Sequence, residues 1–178
     1  MDNQLDVWEI LNDDEERRIW DKISKELSFN PSIKNSSKPF EIKVPYDVYD
    51  LNKSMIHWDD DNVEQKIKKI FITCMDKDAY MYALDWQHTC FKYNPRIETQ
   101  KDNPSFIYDD RYSDGGYKAY FPTFYPNGDY YFFISRDFSW GYLTHPWQNK
   151  IWVYGDELIK NFRKYAPDFN LVRENENN

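Results

Sequence analysis

Residues 117–154 crowd 15 aromatic side chains into 38 positions, out of 34 aromatics in the whole chain. Rings this dense must be buried or must bind something, and their period-2 spacing makes the strand the element that presents them. The pair Asn127-Gly128 is what a type I′ hairpin turn demands, because both of its central residues take positive φ. Residues 120–125 and 130–135 therefore predict a hairpin around that turn. Residues 140–144, after an Arg136-Asp137 turn, and residues 150–154 predict two further strands. The expectation is an antiparallel meander of four strands.

Helical spacing occurs in three other places. Ile19, Trp20, Ile23 and Leu27 form one apolar stripe over residues 13–27, behind the acidic first turn Asp13 to Glu16, which suits the positive end of a helix dipole. Val63, Ile67, Ile70, Phe71 and Cys74 repeat in the same way over residues 62–75, with Asp61 and Glu64 spaced as a capping box. Gly155-Asp156-Glu157 opens a third helix that buries Leu158, Ile159 and Phe162 and stops at Pro167. Residues 40–44 alternate as a short edge strand between Pro39 and Pro45. Residues 80–86 alternate as a strand that continues through 88–93, and the polar stretches 94–105 and 109–116 read as loops. The fold class expected is α+β: a single domain over residues 1–170, an antiparallel meander sheet with helices packed on one face, and a disordered tail over 171–178. At 178 residues such a domain buries roughly 70% of its unfolded surface, enough for a core without disulfides or metal.

Composition narrows the function. With 31 acidic and 23 basic residues the formal net charge is -8, which opposes approach to nucleic acid and to anionic membranes. The acid gathers at Asp13 to Glu16, Asp59 to Asp61 and Asp109 to Asp110, and these runs are expected to be solvated. No stretch approaches the roughly 18 apolar residues of a membrane span, and residues 1–14 lack the basic and apolar regions of a secretion signal. Cys74 and Cys90, the only two cysteines, are then expected as reduced thiols in a cytoplasmic protein. Gly115-Gly116 lacks the lysine and following helix of a phosphate loop, and no cofactor signature is present.

Tyr82-Ala83-Leu84-Asp85-Trp86-Gln87-His88 is followed by Pro126-Asn127-Gly128-Asp129-Tyr130-Tyr131-Phe132-Phe133, Asp137-Phe138, Gly141, His145-Pro146-Trp147 and Gly155-Asp156-Glu157-Leu158. Over residues 80–162 this succession resembles the uncharacterised bacterial domain-of-unknown-function family 2716. The resemblance implies a fold group and no activity. It draws attention to Asp85, Trp86, His88, Asp129, His145 and Trp147. In type, though not in motif, small acidic α+β domains are also similar to bacterial immunity proteins, which plug a toxin's site with an acidic and aromatic face.

Two chemistries compete for these residues. Asp85, His88 and His145 are the residue types of a general-base pair or of a three-ligand site for a divalent metal. On a straight strand, however, positions 85 and 88 face opposite ways, so joint action requires a bend near Gln87. The histidines otherwise serve hydrogen-bond networks beside Trp86 and Trp147, and no metal ligand set is assigned. Cys90 is too far along the strand for His88 to activate it, and Cys74 belongs to a helix core. Trp86, Asp129, Arg136, Trp140 and Trp147 are the expected binding residues, since aromatic and arginine side chains dominate interface energetics. The preferred expectation is a cytoplasmic bacterial interaction module of immunity or inhibitor type. It would bind a basic, toxin-like protein partner, with no nucleic acid, membrane or cofactor involved. The alternative is a small hydrolytic enzyme using the Asp/His cluster, with or without a divalent metal. The oligomeric state is open.

Overall fold

A computed structural model describes residues 6–34, 38–58, 61–77, 79–97, 105–112 and 115–174, with Asp61 described by its backbone alone. Its centre is the pair of strands β7 (Tyr131–Ser135) and β8 (Gly141–His145). Neither strand alternates: Phe132, Phe133, Ile134, Tyr142 and Leu143 are all fully buried. A strand without a polar side must be covered on both faces.

The cover comes from helices in two layers. Helix α1 (Asp13–Leu27) lays Ile19, Ile23 and Leu27 against Leu84, Phe132, Ile134 and Leu143. Helices α2 (Asp61–Cys74) and α3 (Asp156–Tyr165), the latter running into a short 3₁₀ turn (Ala166–Phe169), cover the other face. There Val63, Ile67, Phe71, Leu158 and Phe162 meet Ala83, Phe133, Tyr142, Ile151 and Val153. The α+β class and the antiparallel sheet are as expected, and α2 and α3 do share a face. Helix α1 lies on the opposite face, because the rings of β7 leave apolar surface on both sides.

Around β7 and β8 the remaining strands complete an 8-stranded sheet in the order β1-β4-β3-β7-β8-β9-β2-β10. The flanking strands are β1 (Trp8–Ile10), β2 (Tyr46–Asp50), β3 (Met81–Asp85), β4 (Phe91–Tyr93), β9 (Lys150–Tyr154) and β10 (Val172–Arg173). Every pairing is antiparallel. Strands β7, β8 and β9 form the expected meander. The chain beyond residue 170, expected to be disordered, instead enters the sheet, where Val172 pairs with Asp50 and Arg173 with Tyr49. Residues 175–178 lie outside the described residues.

Two local expectations fail for reasons of backbone chemistry. Residues 120–125 do not pair with β7. Pro122 and Pro126 cannot donate to a ladder, so β6 (Tyr117–Tyr120) pairs with β5 (Phe106–Asp109) in a separate two-stranded sheet. Residues 40–44 are not a strand: Asn30 N–H donates to Pro39 C=O and Glu41 N–H to Leu27 C=O, and Phe40 packs under Phe132 and Trp152. The strand begins one proline later, at Tyr46, and lies inside the sheet between β9 and β10 instead of at its edge.

The helix boundaries follow from local signals. Asn12 and Glu15 form a reciprocal capping box at the start of α1, and Ser28 ends it at φ 48. The capping box expected at Asp61 involves a side chain outside the described residues. Gly155 turns the chain from β9 into α3 at φ 97, and a Cβ there would lie 2.4 Å from Trp140 Cβ. Backbone strain and overlap thus fall on the same atom. Gly155→Ala is expected to cost about 2–4 kcal/mol of stability in urea unfolding. A loss under 0.5 kcal/mol would contradict this account of the β9–α3 junction.

Candidate functional site

The chain does bend at Gln87. Strand β3 ends at Asp85, whose Oδ1 accepts from Gln87 N–H at 3.3 Å, while Trp86 N–H donates to Tyr130 C=O at 3.2 Å. This Asx-type turn swings His88 back, so that its Nδ1 lies 2.9 Å from Asp85 Oδ1. The third member arrives from another segment. Asp129 follows the Asn127-Gly128 turn, where Gly128 takes φ 81, and its Oδ1 accepts from Tyr130 N–H at 2.7 Å. Its Oδ2 is left 3.5 Å from His88 Nδ1. Asp85, His88 and Asp129 each offer an oxygen or nitrogen ligand atom within 4.8 Å of the others.

Burial divides the three. Asp85 and Asp129 are 6% and 5% exposed, whereas the His88 side chain is 48% exposed. The imidazole therefore closes the outer side of a pair of buried carboxyls. Burial, with the charge of Asp85 adding to it, pushes Asp129 up to about 6. The arrangement can orient an imidazole and hold a proton or cation between carboxylates.

His145, expected beside Asp85 and His88, lies elsewhere. It projects among Tyr130, Trp147 and Trp152 in the layer that α1 covers, whereas Asp85 follows Met81 and Ala83 on the alternation that faces the other helices. Its Nδ1 accepts from Gln148 N–H at 3.2 Å, and its Nε2 is buried without a partner among the described residues. The Asp85–His88–His145 set is not assembled; Asp129 takes the third place. Its signal in the sequence was the turn before it, which delivers a carboxylate to the end of β7 opposite the end of β3.

The expected binding residues scatter. Trp140 is core: it stacks on Phe71 and donates from Nε1 to Cys74 C=O at 3.1 Å. Asp129 is buried in the cluster. Trp86 and Trp147 are half-buried against Tyr130. Arg136 is exposed over the Tyr80 ring. Asp109, expected to be solvated, is 1% exposed and held by Arg111 and Thr89, and the guanidinium keeps its carboxyl below the usual range. Asp59 and Asp60 lie outside the described residues. Burial raises both thiols, Cys74 to about 11 and Cys90 beyond, which disfavours the reactive thiolate at either.

The exposed rings sit where no binding residue was expected. Tyr108, Tyr112, Tyr117 and Tyr120, 45–57% exposed, belong to the β5–β6 hairpin and its loop. Arg111 ties that hairpin to the acidic first turn of α1 through Asp13 and through Leu11 C=O at 3.0 Å. Two shallow concavities among the described residues are lined by Asp6, Glu9, Tyr80, Lys92 and Asn94 and by Pro45, Asp156, Ile159, Lys160 and Arg163. Neither includes the Asp–His–Asp cluster.

The molecule is thus an α+β domain built on one double-covered antiparallel sheet, with a carboxylate–imidazole cluster at the end of β3 and β7. The chain belongs to the family described as "Protein of unknown function (DUF2716)", which matches residues 10–159. It is 35% identical over 163 residues, 86% of this chain and 90% of the other, to "Uncharacterized protein YxiI" of Bacillus subtilis (strain 168). No solved structure matches. Among the described residues no helix is long and apolar enough to cross a membrane.

The two buried titrating groups give opposite pH dependences. Burial, with Lys150 adding to it, drives His145 from 6.5 down to about 4. Its contribution to stability is whole above about 6.5 and is lost as pH falls toward 4, since the unfolded chain takes up the proton first. Asp129, raised from 3.8 to about 6, contributes fully below about 3.8 and loses that contribution as pH rises through about 6. In urea titrations His145→Gln is expected to flatten the loss of stability between pH 6.5 and 4. Asp129→Asn, which keeps an acceptor for Tyr130 N–H, is expected to gain about 1–2 kcal/mol at pH 7.5 and little at pH 4.5. Equal effects of Asp129→Asn at both pH values would refute this assignment.

Proposed function

We propose that this protein is a bacterial, cytoplasmic interaction module of immunity or inhibitor type, which occludes a basic partner protein with the face made by the β5–β6 hairpin and the first turn of α1. The observation that carries this reading is the exposure of Tyr108, Tyr112, Tyr117 and Tyr120 together on one hairpin outside the main sheet. Tyrosine gives large contact area at low entropic cost and is enriched at binding hot spots. Beside it stand the exposed carboxylates Asp13, Asp14 and Asp110, within a chain of net charge -8. Such a field speeds encounter with a basic protein and suppresses acidic competitors. Cys74 and Cys90 are unpaired thiols, in keeping with a reducing compartment. The binding face so proposed differs from the residues the sequence suggested, because Trp140 and Asp129 are used inside the fold.

A second reading, a small hydrolytic enzyme, is favoured by the convergence at residues 85, 88 and 129. There His88, oriented by Asp85, is the general base.

The two readings separate by mutation. Protein purified from the native host is expected to bring down one stoichiometric basic partner, released by raised salt. Tyr108→Ala with Tyr120→Ala is expected to weaken that complex about 100-fold or more, while His88→Ala leaves it intact. Loss of the complex on His88→Ala but not on the tyrosine substitutions would favour the cluster instead.

A further inference from the structure

Buried carboxylates in this fold are otherwise paired with cations. Asp47, 7% exposed, takes Arg163 at 2.7 Å and Arg173 at 3.5 Å. Asp109, 1% exposed, takes Arg111 at 2.7 Å, and Asp50, 6% exposed, takes Lys53 at 3.4 Å. Asp85 and Asp129 depart from the pattern: among the described residues neither has a lysine or arginine, and both turn to the one imidazole of His88. Asp129 Oδ1 is used by Tyr130 N–H, while Oδ2 faces only the other members of the cluster. Two carboxyls closed off from water, both turned to one half-exposed imidazole with no lysine or arginine beside them, form a compact set of three ligand atoms that can take up a cation.

The distances fit a particular kind of cation. A tetrahedral ion with bonds of about 2.0–2.1 Å sets its ligand atoms roughly 3.3 Å apart. The separations from His88 Nδ1 to Asp85 Oδ1 and Asp129 Oδ2 are 2.9 and 3.5 Å, on either side of that value. One imidazole nitrogen with two carboxylate oxygens is a donor set for a borderline ion such as Zn²⁺, whereas magnesium and calcium take oxygen alone. The two carboxylates also neutralise the ion's double charge. We propose that Asp85, His88 and Asp129 form a Zn²⁺-type divalent metal site, in which the exposed side of His88 leaves a coordination position open to water or a ligand. A neutral imidazole binds such an ion through the Nδ1 lone pair with its single ring proton on Nε2, so coordination needs no net proton loss from the ring. The site does not depend on the partner-binding reading and stands or falls separately from it.

The test is calorimetric titration of chelator-treated full-length protein with ZnCl₂, then with MgCl₂. One Zn²⁺ per chain is expected, with a rise in melting temperature on binding and no saturable Mg²⁺ uptake. Asp129→Asn and His88→Gln are each expected to weaken Zn²⁺ binding at least about tenfold, the minimum that even outer-shell changes cost. His57→Ala, at an exposed histidine remote in sequence, should leave binding unchanged. Metal-free Asp129→Asn is expected to melt no lower than the parent, and His88→Gln changes an exposed side chain, so neither result depends on a failure to fold. Absence of saturable Zn²⁺ uptake, or uptake that both cluster variants leave intact, would overturn the proposal. A cluster that responds to pH alone and not to metal would overturn it equally.

Discussion

Burial of β7 and β8 on both faces governs the rest of the molecule. Phe132 and Ile134 go into one layer and Phe133 into the other, so neither side of the central sheet is free for a polar surface. Helix α1 on one side and α2 with α3 on the other are the geometric answer. Phe71 alone meets Phe124, Phe133, Trp140 and Tyr142 at ring distances of 5.4 to 5.9 Å. Polar chemistry is thereby pushed to the strand ends, where the backbone leaves the sheet and side chains regain access to water.

Within that constraint the buried acids are treated in two ways. Asp47 and Asp109 use guanidinium partners to bind one element to another: α3 and β10 to β2 in the first case, the β5–β6 hairpin to α1 in the second. Asp85 and Asp129 accept from backbone N–H groups at the turns beside them, but among the described residues no lysine or arginine pairs with either. Buried acids gathered on one imidazole instead of on a guanidinium or ammonium mark a candidate site.

The hairpin and the cluster assign different work to different ends of one chain segment. Residues 106–120 carry rings outward from the body of the domain, while residues 121–154 carry most of theirs inward, Tyr125 excepted. Aromatic density in residues 117–154 is therefore mostly a property of the core, and the surface available to a partner is narrower and more tyrosine-rich than the ring count implies.

Much of the secondary structure was legible. Helix α1 begins and ends where its apolar stripe and acidic first turn place it, β3, β7 and β9 lie within the segments their ring spacing marked, and β8 runs one residue past its segment, to His145. The sequence by itself determined these elements because capping, helical periodicity and strand alternation act within a few residues. The failures are equally physical. Prolines 122 and 126 removed the donors a hairpin needs, and the uninterrupted Phe132-Phe133-Ile134 run already signalled a strand covered on both sides. Only the tertiary structure decided that His145 would be walled in by aromatics, that Asp129 would join Asp85 and His88, and that Trp140 would be core. Those outcomes depend on strand order and on which face each residue takes, and pairing between segments dozens of residues apart leaves no local trace in the chain.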